Sequence, residues 1–265
     1  MSRLYSDALS AEEITTGLKS RFFGRAVECL GSVTSTNDLA FERGRAGCPD
    51  GSCVVAEHQT RGRGRHGRHW ESPKGKNILF SAVLRPEKLS VPDASKITLT
   101  AAVSLIRALR RSTGLRPGVK WPNDIVCADR KLCGILTEMR EVGGVIQFVV
   151  VGIGINVNSE PEELPPGSVS LHELTGETYS RSVIIRGLFE EMEKDYLRLE
   201  AGDFEALARE WEEFSVTTGK RVIAELSGRK VEGRAMGIDA DGALWIRHDN
   251  GLQERVLSAD IRHLR

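Results

Sequence analysis

The densest chemistry in the chain lies between Thr60 and Trp70, "TRGRGRHGRHW", where four arginines, three glycines and two histidines share eleven positions. Guanidinium groups are permanently charged, fork-shaped donors suited to phosphate and carboxylate oxygens. Gly62, Gly64 and Gly67 allow backbone N–H groups to approach such an anion closely. No Gly-Lys-Ser/Thr closes the stretch, so it is not a P-loop. The glycine spacing and the lack of a following helix also exclude a dinucleotide fingerprint. Three uses remain: a grip on a small phosphorylated ligand, an RNA-binding arm, or an idle solvated loop. In an extended conformation Arg63 and Arg65 would share a side. Without a ligand, the glycines and mutually repelling arginines should leave residues 62–69 mobile.

A second cluster, "VKWPNDIV" from Val119 to Val126, ends a short strand in a turn fixed by Pro122. Alone it reads as a tight turn with capping side chains. Beside an anion grip, Lys120, Asn123 and Asp124 suit a nucleotide phosphate and its Mg²⁺, with Asp124 as the metal's carboxylate. Lys131 opens the apolar strand "KLCGIL", and Gly134 follows. Alone such a lysine is solvated, but this one borders the core. "VGIGINVN" ends a further strand with Gly152, Gly154 and Asn156. Small residues inside a strand mark a close approach, such as that of a ligand. A buried Asn156 needs hydrogen-bond partners, and an adenine edge would supply them.

These clusters need a scaffold. "SAEEITTGLKS" and "STNDLAFERGRAG" read as capped helices, the second starting at Ser35 or Thr36 and ending at Gly47. "SCVVAEHQT" and "NILFSAVL" are buried strands. "DASKITLTAAVSLIRALRRSTG" is a long amphipathic helix closed by Gly114, and "SVIIRGLFEEMEKDYLRLE" is another. "RKLCGILTEMRE" and "GVIQFVVVGIGINVN" are strands joined at Gly143-Gly144. After Trp211, short strands alternate with Ser-Gly, Asp-Gly and Asn-Gly turns, which fits a small antiparallel barrel of about five strands. The expected division is residues 1–214 and 215–265. Strands and helices do not alternate strictly in the larger part. An α+β class with an antiparallel or mixed sheet is therefore expected, not a doubly wound one.

Composition removes other classes. Lys plus Arg and Asp plus Glu both total 37, for a formal net charge of zero. A body that tracks nucleic acid needs a basic face, so the positive charge here is local. An RNA-binding module would also interleave aromatics for base stacking. The five cysteines form no Cys-x-x-Cys pair and read as reduced thiols of a cytoplasmic protein. No apolar run is long enough to span a membrane, and the first residues lack the apolar core of a signal peptide.

Taken together, "STN" at Ser35–Asn37, "QTRGRGRHGRHW" at Gln59–Trp70, "KWPND" at Lys120–Asp124, "RKLCGIL" at Arg130–Leu136 and "GIGIN" at Gly152–Asn156 resemble the biotin protein ligases in order and spacing. The resemblance spans nearly the whole chain; His66 stands where an arginine is frequent. It implies a catalytic domain akin to class II aminoacyl-tRNA synthetases and an SH3-like C-terminal domain. It also implies a two-step reaction: biotin and ATP give biotinyl-5′-AMP and pyrophosphate, then a lysine of a biotin carboxyl carrier protein or domain attacks. Under it, Lys131, Arg63 and Arg65 are catalytic, with Lys131 contacting both the biotin carboxyl group and the α-phosphate. Ser35, Thr36, Asn37, Gln59, Gly62, Gly134, Gly152 and Gly154 join Arg63 and Lys131 around biotin. Arg68, Trp70, Lys120, Asn123 and Asn156 join Arg63 and Arg65 around ATP. A lipoate or octanoate ligase of the same superfamily is the alternative enzyme, although it should lack the arginine–glycine repeat. Only about 34 residues precede Ser35, too few for a winged helix. The expectation is thus a ligase that binds no specific DNA, with a homodimer left open, rather than a biotin-responsive repressor.

Overall fold

The computed structural model describes residues 8–226 and 228–264. Its larger unit contains α1 (Ala11–Thr15), β1 (Val27–Leu30), α2 (Thr36–Arg45), β2 (Ser52–Ala56), β3 (Ile78–Leu84), α3 (Ala94–Thr113) and β4 (Gly118–Lys120). It continues through β5 (Asp124–Cys127), β6 (Arg130–Val142), β7 (Val145–Ile155), α4 (Leu171–Thr175), α5 (Arg181–Glu200) and α6 (Phe204–Phe214). The seven strands form one sheet in the order β1-β2-β3-β7-β6-β5-β4. β1 runs parallel to β2, and every other neighbouring pair is antiparallel. This is the mixed α+β sheet that the sequence leads one to expect.

β2 and β3 are buried along their whole length because helices cover both faces. Side chains alternate between the faces. Cys53, Val55, Phe80, Ala82, Val149 and Val151 enter the large core that α3 and α5 complete. Val54, Val83, Phe148 and Val150 turn the other way and pack on Ala40 of α2. A continuous apolar run in β7 therefore feeds two cores, which is why it reads as apolar without alternation.

α3 ends where expected, at Gly114, whose φ of 72° suits a residue without a Cβ. α1 starts on the Ser10 hydroxyl, which accepts the Glu13 N–H, but stops at Thr15, short of Lys19. The residues alone give no signal taken above for β1, β5, α4 or α6. α6 was nonetheless legible, since its buried Phe204, Leu207 and Trp211 repeat at helical spacing.

α6 ends at Phe214, and a second unit follows with β8 (Arg221–Leu226), β9 (Arg229–Ile238), β10 (Leu244–Arg247), β11 (Gln253–Val256) and β12 (Asp260–His263). Its antiparallel sheet has the order β11-β10-β9-β8-β12, five strands as expected. Buried Trp121 joins the units. Its backbone N–H donates to Thr217 Oγ1 at 3.1 Å, and its indole N–H to the Gly242 carbonyl at 3.2 Å. The "KWPND" turn is thereby bolted to the small sheet, which brings the β11–β12 turn beside the arginine-rich stretch.

Candidate active site

One cavity opens on the α2 side of the large sheet, just beyond the N-terminus of α2. Strand register explains why it is there. Asp124 pairs with Gly134 and Gly134 with Gly154, giving one row across β5, β6 and β7. Leu136 pairs with Gly152 and Gly152 with Ser81, giving the next row. Three of these six positions are glycine, so the face is hollow where α2 ends. The sequence assigns that room to a ligand's rings, but the protein's own side chains use part of it. A Cβ on Gly154 would lie 2.4 Å from Trp70 Cε2, and one on Gly134 2.9 Å from Trp70 Cζ3. A Cβ on Gly152 would lie 1.8 Å from Asn37 Oδ1. Among the described residues the Trp70 indole N–H is buried and meets no acceptor, a costly state for a donor.

The N-terminus of α2 forms the polar wall. Ser35 is its N-cap residue, and Thr36 and Asn37 follow, all three buried. Gln59, arriving from β2, accepts from the Thr36 backbone N–H at 2.7 Å and from its hydroxyl at 3.0 Å.

The arginine-rich stretch is not extended. Trp70 N–H returns to the Gly62 carbonyl, Gly64 N–H to the Arg68 carbonyl, and Arg68 N–H to that of Arg65. Arg65–Gly67 forms a single 3₁₀ turn with His66 at φ 53°. The arginines consequently diverge instead of sharing a side, and acids offset their repulsion. Arg63 bonds Asp38 and Glu138. Arg68 bonds Asp260 of β12. Arg65 reaches into the seam between the units, donating to Ser258 Oγ at 2.7 Å, Asn123 Oδ1 at 3.1 Å and the Ala259 carbonyl at 3.3 Å. Burial there lowers its pKa, against the pull of Asp260 and Asp124.

Across the cavity, Lys131 Nζ pairs with Asp124 Oδ1 at 2.7 Å and stands 5.6 Å from the centre of a Trp70 ring. Lys120 and Asn123 complete this wall. The structure thus gathers every proposed biotin or nucleotide residue around one cavity except two. Gly62 lies behind it: a Cβ there would meet the Trp70 carbonyl oxygen at 2.3 Å, so the glycine serves packing of the loop on itself. Asn156 does not reach the cavity; its buried amide donates to the carbonyls of Val169 at 3.2 Å and Lys131 at 3.5 Å. The partners that its burial demanded are backbone groups, not an adenine edge. The sequence reading missed Asp38, Glu138, Ser258 and Asp260. Nothing local marks Ser258 and Asp260, which lie some 190 positions from their partners. Asp38, beside the "STN" motif, was the most accessible of the four.

Fold and site define a two-unit α+β protein whose cavity sets arginines and a lysine opposite a hydroxyl-and-amide wall, an arrangement for a ligand with one polar end and one anionic end. A model of the biotin/lipoate A/B protein ligase family matches residues 30–156, and one of the biotin protein ligase C-terminal domain matches residues 217–264. The bifunctional ligase/repressor BirA of Bacillus subtilis is 34% identical over 257 residues, which cover 96% of this chain and 78% of that protein. The biotin--[acetyl-CoA-carboxylase] ligase of Mycobacterium tuberculosis is 34% identical over 247 residues, covering 91% and 90%. The solved biotin protein ligase from Aquifex aeolicus in complex with biotin and ATP superposes with a TM-score of 0.79 at 27% identity, covering 91% of this chain and 99% of that one. The chain belongs to the biotin protein ligase family.

Proposed function

We propose that this protein biotinylates a lysine of a biotin carboxyl carrier protein or domain, using ATP and passing through biotinyl-5′-AMP. The observation that carries the proposal is the convergence on one cavity of "STN", the arginine–glycine stretch, "KWPND", Lys131 and the strand glycines. In the first step a carboxylate oxygen of biotin attacks the α-phosphorus of ATP, and pyrophosphate leaves. Two anions must meet, and Arg63, Arg65 and Lys131 offset their repulsion and stabilise the charge that develops. In the second step the carrier's neutral lysine amine attacks the carbonyl carbon, and AMP leaves with the bonding pair.

Ser35, Thr36, Asn37 and Gln59 are assigned to the polar ring of biotin, with Gly134, Gly152 and Gly154 beneath. Arg63, Arg65, Arg68, Lys120 and Asn123 are assigned to ATP. Trp70 lines the cavity and is assigned to the nucleotide through its ring face. Mg²⁺ belongs with the nucleotide. Among the described residues no group of three or more acids, histidines or cysteines could hold a metal alone. An ion carried mainly by phosphate oxygens needs only one carboxylate, and Asp124 fits that role by releasing Lys131. The ion would neutralise the leaving pyrophosphate. The catalytic unit is taken as residues 1–214 and the second unit as 215–265. Among the described residues no helix is long and apolar enough to cross a membrane.

The test is pyrophosphate release from ATP with biotin or lipoate, followed by label transfer to a carrier domain. Release with biotin and labelling of one carrier lysine are expected; release with lipoate alone would overturn the substrate assignment.

A further inference from the structure

Glu138 belongs to no sequence motif singled out above and does not line the cavity, yet its carboxylate bonds one residue from each of two walls. One carboxylate oxygen accepts from Asn37 Nδ2 at 2.9 Å and the other accepts from Arg63. Asn37 Nδ2 also reaches the Leu136 carbonyl at 3.3 Å. Turning this amide over would press its oxygen against two acceptors. Glu138 therefore fixes which end of Asn37 faces the cavity wall. That end is Oδ1, 2.6 Å from Ser81 Oγ, so the one Ser81 proton is committed to it.

The consequence runs further along the wall. Ser81 Oγ lies 2.8 Å from Thr36 Oγ1, which lies 3.0 Å from Gln59 Oε1. Gln59 Oε1 is itself fixed as an acceptor by the Thr36 backbone N–H. Four oxygens in a row thus make three contacts with only two hydroxyl protons between them. The wall therefore has no proton to spare and offers a ligand acceptor lone pairs, so the group it can bond is an incoming N–H.

We propose that Glu138, without touching substrate, is the positioning residue that sets this acceptor-rich polarity. It thereby selects a ring that carries N–H groups, the ureido ring of biotin, over a ring that has none, such as a dithiolane. The inference rests on the biotin reading above.

The experiment measures steady-state pyrophosphate release in wild type, Glu138→Gln, Asn37→Asp and the Asn37→Asp/Glu138→Gln double variant. In Glu138→Gln, Arg63 can only donate and so holds the new amide oxygen. The amide nitrogen then faces Asn37 and turns it over, adding a donor to the wall. KM for biotin should rise about tenfold, the size expected from misplacing one buried hydrogen bond, while KM for ATP changes less than threefold. In the double variant the amide introduced at position 138 donates to the carboxylate introduced at position 37, whose other oxygen again accepts from Ser81. KM for biotin should fall back to within about threefold of wild type, below the value for either single variant. A merely structural role for Glu138 would not be repaired by removing a second native group. An unchanged biotin KM in Glu138→Gln, or a double variant no better than the singles, would overturn the inference alone. A wild-type protein that releases no pyrophosphate with biotin would overturn the biotin reading and the inference with it.

Discussion

Replacing Lys131 by methionine keeps an unbranched side chain, one atom shorter, and removes its charge. The structure fixes what that does. Lys131 Nζ sits 2.7 Å from Asp124 Oδ1, with the two side chains 34% and 26% exposed. Deleting the ammonium removes a cation from the cavity and strands a carboxylate that faces the incoming anions. A unit charge about 4 Å from another is worth about 4 kcal/mol at the effective dielectric of a protein surface. Since Lys131 is a third exposed, solvent screening takes a share of this, leaving roughly 3 kcal/mol. Removing one preorganised group from a developing oxyanion costs about 10²–10³-fold in rate, which agrees. Single-turnover adenylate formation in Lys131→Met should thus slow about 10²-fold or more. Removing Asp124's charge as well separates the two contributions. The Lys131→Met/Asp124→Asn variant should still form adenylate slowly and should hold Mg²⁺·ATP no more tightly than Lys131→Met, because Asp124 is also assigned to the ion. A Lys131→Met rate within threefold of wild type would remove Lys131 from the chemistry. Full recovery in the double variant would show that the stranded Asp124 charge, not the missing ammonium, caused the defect.

Gly154→Ala should reduce adenylate formation more than tenfold with the fold retained, because its Cβ would lie 2.4 Å from the Trp70 ring and displace it; near-normal adenylation would show that Trp70 need not lie against β7. Arg65→Gly cuts the ties to Ser258, Asn123 and Ala259, and should release adenylate faster and biotinylate exposed lysines of an unrelated protein; slower adenylation without leakage would confine Arg65 to the first step. Burial, assisted by the charges of Lys120 and Lys220, lowers the pKa of His263. The folded state therefore takes up its proton less readily than the unfolded chain, so the stabilisation is complete above about pH 6.5 and is lost as the pH falls through the lower folded value. His263→Gln should show a shallower decline in melting temperature between pH 7.5 and 5 than wild type, and equal slopes would mean another group controls it.

The sequence and the structure agree best where local physics decides. Capping at Ser10, the start of α2 after Ser35, the left-handed Gly114 and the buried runs of β2, β3 and β7 are all readable from a few neighbouring residues. The site was legible to the same degree, because its cations and glycines sit in short motifs. Two kinds of feature escaped. β1 is a four-residue, half-buried edge strand whose place is set by pairing with β2, and tertiary contact outweighs its weak propensity. The others are partners. Asn156 is buried and hydrogen-bonded, as its place in an apolar strand implies, yet residue type alone does not say whether backbone or ligand provides the partners. Residue type marks Arg65 and Arg68 as an anion grip, but their partners Ser258 and Asp260 come from another unit of the chain. Alternation of arginine with glycine would put Arg63 and Arg65 on one side only in an extended conformation. His66 at positive φ and the 3₁₀ turn around it break that alternation.

Those partners explain how a chain of zero net charge holds so concentrated a positive site. Arg63 has Asp38 and Glu138, Arg68 has Asp260, and Lys131 has Asp124. Each of these three cations is matched by a carboxylate, so the free protein pays little for bringing their charges together. These pairs are partly exposed, and exposed pairs contribute little stability each. An incoming carboxylate and triphosphate can displace them at small cost, whereas the cations remain preorganised for the anions that follow. The same matching gives the second unit its part in the site. Asp260 and Ser258 are the groups that position Arg68 and Arg65 before any anion arrives, and the Trp121 bolt keeps them in place. An arginine–glycine stretch without those tethers would keep its charge but lose its aim. Under the proposed function, the small sheet acts on the chemistry by holding Arg65 and Arg68 in position.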